Sequence, residues 1–153
     1  LLNFLSHECL QVQIMLCFTS VVFGQMHSKE DTTLCFKRSI IMECPLITRV
    51  NVEKYEEGFF KTINCILDTA AITIHCGRMV DMPLTNLSDK TILSKFILGR
   101  DISMIRGYSV SNGRKKFFRE DNFFLYGFSV VYENVDEDRL IYYEHIFNNI
   151  KVQ

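Results

Sequence analysis

"VSNGRKKFFRE", residues 110–120, sets an Asn-Gly pair beside four cations and two phenylalanines. Asn and Gly tolerate positive φ at both centres of a tight turn, so Asn112-Gly113 between alternating segments predicts a two-residue β-hairpin. The turn fixes a register in which Val110 faces Lys115, and Tyr108 faces Phe117 as a cross-strand aromatic pair. Arg114, Lys115 and Lys116 then stand at an exposed tip. Before the hairpin, Ile102 to Val110 reads as one strand and "AAITIHCGRMV", 70–80, as an earlier one. After it, "NFFLYGFSVVYE", 122–133, is apolar on both faces, as expected of an interior strand.

Helical patterns flank these strands. Ser88 is placed to cap a helix over 88–98 that carries Ile92, Leu93, Phe96 and Ile97, with Gly99 to end it. Asn134 and Glu137 have capping-box spacing ahead of a helix over 135–149, whose stripe is Leu140, Tyr143, Phe147 and Ile150. Upstream, Val52, Tyr55, Phe59, Ile63 and Ile66 recur at three- and four-residue steps, which predicts an amphipathic helix over 52–67, weakened by Gly58. Residues 33–50, around Pro45, read as two short strands or a strand and a loop.

The order over residues 70–153 is β-α-β-β-α, an α+β arrangement of ferredoxin-like, split β-α-β type. Residues 1–69 form an N-terminal, largely helical extension to it. "MPLTNLSDKTILSKF" at 82–96, "YGFSVVYENVDED" at 126–138 and "FNNIKV" at 147–152 make this half of the chain resemble an RNA-recognition motif. The resemblance implies that Tyr126 and Phe128 stack bases of single-stranded RNA, while Arg114, Lys115, Lys116 and Arg119 contact phosphates. The chain departs from the family pattern at Phe124 and Leu125, where a basic residue and Gly are usual. Thr73 or Arg78 also stands where the first strand wants an aromatic.

Totals constrain the reading. Seventeen Lys and Arg against 18 Asp and Glu leave a net charge of -1, so the chain does not coat nucleic acid by bulk charge and any such contact is local. With 48% hydrophobic residues, 13 Phe, 6 Tyr and no Trp among 153, it can fill an aromatic-rich core. The apolar stretch Ile14 to Phe23 is too short to span a bilayer. It reads either as part of a leader ending at Gly24, with no positive start, or as a buried helix.

No catalytic constellation emerges. His75 and Cys76 are adjacent, but neighbours on a strand point to opposite faces and cannot act as base and nucleophile. The four histidines have no metal-ligand spacing, and no two of the seven glycines lie closer than six apart, so neither a metal, a cofactor nor a phosphate loop is expected. The six cysteines form no C-x-x-C pair and are expected as reduced, structural thiols. The chain therefore reads as a non-enzymatic, intracellular interaction module for single-stranded RNA or a protein. The alternative is a secreted domain cut after Gly24, with disulfides among Cys35, Cys44, Cys65 and Cys76, that binds a receptor or a small apolar ligand. In that setting Asn86, in Asn86-Leu87-Ser88, would be a glycosylation acceptor.

Overall fold

The computed structural model describes residues 28–78, 83–84, 90–97 and 102–153. The leader-or-helix reading of 1–24 and the sequon at Asn86 fall outside the described residues.

Among the described residues the architecture is two packed antiparallel sheets with one short helix, not the expected ferredoxin-like α+β fold. The strands are β1 (Ser28–Cys35), β2 (Arg38–Pro45), β3 (Thr48–Tyr55), β4 (Gly58–Cys65), β5 (Ala71–Gly77), β6 (Thr91–Ile97), β7 (Ile102–Ser111), β8 (Arg114–Phe123), β9 (Phe128–Val135) and β10 (Lys151–Val152). The helix α1 spans Leu140–Asn148. Three strands form a small sheet in the order β1-β2-β10, and seven form a large one in the order β3-β4-β5-β9-β8-β7-β6.

The hairpin at Asn112-Gly113 forms as its residues require. Both centres have positive φ, 50° and 73°, and Tyr108 pairs with Phe117 and Val110 with Lys115. The expected strand at 70–80 is β5, and the C-terminal helix is α1 preceded by a 3-10 turn at Glu137–Arg139. Its capping box does not form: Asn134 sits at φ 60° in β9, and Asp136 precedes the 3-10 turn without a side-chain cap.

Two expected helices are strands. Over 52–67 the chain runs as β3, a turn at Glu56-Glu57, and β4. Gly58 closes this hairpin because nothing larger fits: a Cβ there would lie 1.9 Å from the Cys76 carbonyl oxygen. Of the expected helix 88–98, Thr91–Ile97 is strand β6: Thr91, Ile92, Phe96 and Ile97 suit an extended backbone, and β6 pairs along β7 with one bulge between Ile92 and Ser94. The expected strand 122–133 is split as well. Phe124–Tyr126 is a 3-10 turn, and Gly127, at φ 69°, reverses the chain into β9.

The core lies between the sheets. Ile63 of β4, Ile72, Ile74 and Cys76 of β5, and Phe128, Val130 and Tyr132 of β9 share one face of the large sheet. Cys35, Ile40, Met42 and Cys44 of the small sheet pack against them. Tyr143, Ile146 and Phe147 bring α1 onto the same core, where the Phe147 ring meets Tyr132 edge-on at 4.9 Å. The sheets are also joined covalently: Cys35 of β1 and Cys76 of β5 form a disulfide buried in this layer. Reduced thiols, the sequence expectation, hold for Cys44 and Cys65, which are free and buried.

Candidate functional site

The residues picked out for RNA do not form an open platform: Arg114, Lys115 and Lys116 begin β8, whereas Phe128 pairs with Phe123 at its other end. Phe128 has no accessible surface, and its ring is stacked against Phe123 at 4.4 Å. Tyr126 ends the 3-10 turn, half-buried, 6.3 Å from Phe128, with the Arg38 guanidinium 5.4 Å from its ring centroid. The two rings therefore do not project from one bare strand, because Gly127 turns the chain between them.

The cations divide. Arg114 and Lys115 are exposed at the hairpin tip, Lys115 lying 4.8 Å over the Tyr108 ring. Lys116 bonds Asp136 at 2.9 Å and Thr69 at 3.0 Å. The hollow beside the tip is lined by Gly113, Arg114 and Lys115 but also by Asp136, Glu137 and Asp138, so its charge is mixed. Arg119 is interior. It makes two bonds of 2.9 Å to Asp121, one of 2.8 Å to Glu144 and one of 2.7 Å to Asn148. Tyr132 donates its hydroxyl to the other oxygen of Glu144 at 2.7 Å. Alternation carried this signal: Phe117, Arg119, Asp121 and Phe123 share a face of β8, and an Arg two residues from an Asp between two Phe marks a buried ion pair.

His75 lies on the other face of β5. Its ring stacks on Phe60 at 4.4 Å, and its Nε2 lies 2.6 Å from the Tyr55 hydroxyl, which nests against Gly58 and Gly77. Burial lowers the His75 pKa, which favours the neutral ring. Neighbouring strands extend this into a polar row of His75, Ser129 and Asn122, all buried. Asn122 donates to Glu120, which also accepts the Leu84 backbone N–H. Cys76 faces away and its sulfur is in the disulfide, so the pair makes no nucleophile and base. The free thiol of Cys44 is pushed up to about 12, first by burial and then by Asp31, which leaves it unreactive at neutral pH. Among the described residues no three His, Cys, Asp or Glu side chains gather where they could share a metal ion.

The surface is more open at the edge of the large sheet. Every residue of β3 except Thr48 is exposed, and Ile47, Val50, Val52 and Tyr55 are among the large apolar side chains left in solvent. Leu46, Ile66 and Leu67 add to this at the adjoining turns. Sequence reading missed β3 because a helical period overlay its strict alternation, Arg49-Val50-Asn51-Val52-Glu53.

No protein-family model, curated protein or solved structure matches the chain. Among the described residues no helix is long and apolar enough to cross a membrane.

Proposed function

We propose that this chain is a non-enzymatic, disulfide-braced β-sheet module of an oxidising compartment, and that it works by binding a protein through its exposed surface. The observation that carries the reading is the Cys35–Cys76 bond, which spans 41 residues and ties the small sheet to the large one through the core. Such bonds persist where the surroundings are oxidising, and cytosolic reductants oppose them. Further support comes from the placement of the titratable groups. Arg119 is bonded to both Asp121 and Glu144, and Tyr55 to His75, while apolar side chains at Leu46, Ile47, Ile66 and Leu67 face solvent. Single-stranded RNA on Tyr126 and Phe128 would need ring faces that Phe123 and Arg38 occupy in this packing.

The test is to express the same chain in the secretory lumen and in the cytosol of one cell type. Protease-resistant, monodisperse protein is expected from the lumen, and little of it from the cytosol. Equal folded yield from both, with Cys35 and Cys76 reduced in the cytosolic product, would remove the reading.

A further inference from the structure

We infer that β3 pairs antiparallel with β3 of a second copy of this chain, about a two-fold axis at Asn51. The inference is independent of the compartment in which the chain resides.

It starts from the backbone. In a two-residue hairpin the flanking pair exchanges both hydrogen bonds, so Tyr55 bonds Gly58, and Glu53, Asn51 and Arg49 follow toward β4 at alternate positions. The Ile47 carbonyl continues that series by accepting from the Ile66 N–H at 3.1 Å. Thr48, Val50, Val52 and Lys54 therefore aim their N–H and C=O groups away from the sheet. Protein edges are usually blunted by proline, a bulge or a very short strand. Strand β3 has eight residues in unbroken register with β4 and contains no proline. At the opposite edge β6 carries a bulge.

The sequence then selects both partner and register. Arg49-Val50-Asn51-Val52-Glu53 is a palindrome of chemistry about Asn51. Turned on itself, it sets Val50 against Val52 of the second copy in a hydrogen-bonded pair, with Thr48 against Lys54. Arg49 meets Glu53 in a non-hydrogen-bonded pair, where side chains approach most closely. Asn51 already holds the Glu53 carboxylate through its Nδ2 at 2.9 Å. Ile47 and Tyr55, both exposed, meet one position farther out. Shifting the pairing by two residues in either direction keeps the backbone bonds but sets Arg49 against Asn51 or Tyr55 and loses the ion pair. An isologous contact of this kind closes as a dimer.

Sedimentation equilibrium of the full chain, from about 1 to about 300 μM, tests this. The parent is expected to dimerise. Arg49→Glu alone and Glu53→Arg alone set like charges opposite each other twice per dimer and should each raise the dissociation constant roughly tenfold. An equal mixture of these two variants restores both ion pairs and should restore the dimer. Val52→Pro removes an outward N–H that β4 does not use and should give a monomer with the parental circular dichroism. A parent that stays monomeric throughout the range would overturn the inference. So would a dimer whose charge-reversed variants associate as well as the parent, or whose mixture associates no better than either variant alone.

Discussion

Replacing Arg119 with Met is expected to cost about 3–5 kcal/mol near neutral pH, because it leaves the buried Asp121 carboxylate without its cation. Arg119 and Asp121 are 3% and 4% exposed, so solvent cannot substitute for the missing partner. The methionine keeps apolar volume beside Phe147 while removing the guanidinium that lies 5.5 Å from that ring and bonds Asp121, Glu144 and Asn148. Its pH dependence has a definite sign. Burial raises the Asp121 pKa, and the bond and charge of Arg119 pull against that rise. Without Arg119 the rise is unopposed, so in the variant the folded state keeps a proton on Asp121 at pH values where the unfolded chain has lost it. In that window the folded state binds more protons, and stability grows as pH falls. Urea denaturation of parent and variant from about pH 7 to about pH 5 should show the gap narrowing toward acid. Adding Asp121→Asn to Arg119→Met should recover part of the loss at neutral pH. A gap that stays constant, or widens as pH falls, would contradict the buried-carboxylate account.

Removing the disulfide is the second large effect. A closed loop of 41 residues implies about 4 kcal/mol of chain-entropy stabilisation. Cys35→Ala with Cys76→Ala should lower the urea-derived stability by about that much. The parent treated with a thiol reductant should lose the same amount slowly, since the two cysteines are 0% and 2% exposed and reduction must wait for opening. Loss of under roughly 1 kcal/mol from the double substitution would mean that the bond does not brace the sheets.

Local rules were enough where one signal acted alone. Asn112-Gly113 fixed a turn, its register and the Tyr108–Phe117 contact, because positive φ at two adjacent positions leaves few alternatives. The C-terminal helix forms over Leu140–Asn148, although the capping box that favours helix over strand there does not form. Reading failed where two periods overlay the same letters. Tyr55, Phe59 and Ile63 fit a helical step, yet Gly58 must pass within contact of the Cys76 carbonyl, and that neighbour comes from the next strand, β5, outside the segment whose period is being read. The disulfide was one of several pairings open to four cysteines, and only the stacking of the two sheets selects Cys35 with Cys76. The resemblance implies a phosphate contact for Arg119, beside a basic tip. Strand alternation instead puts it on the face of Asp121 and below α1, which supplies Glu144 and Asn148.

The most direct measurement of the two-sheet account is a non-reducing peptide map of the oxidised chain, alkylated in denaturant before digestion. The account predicts one crosslinked species joining the Cys35 peptide to the Cys76 peptide, with Cys44 and Cys65 recovered as alkylated free thiols. Cys76 linked to Cys44 or Cys65, or Cys35 and Cys76 both recovered alkylated, would contradict it.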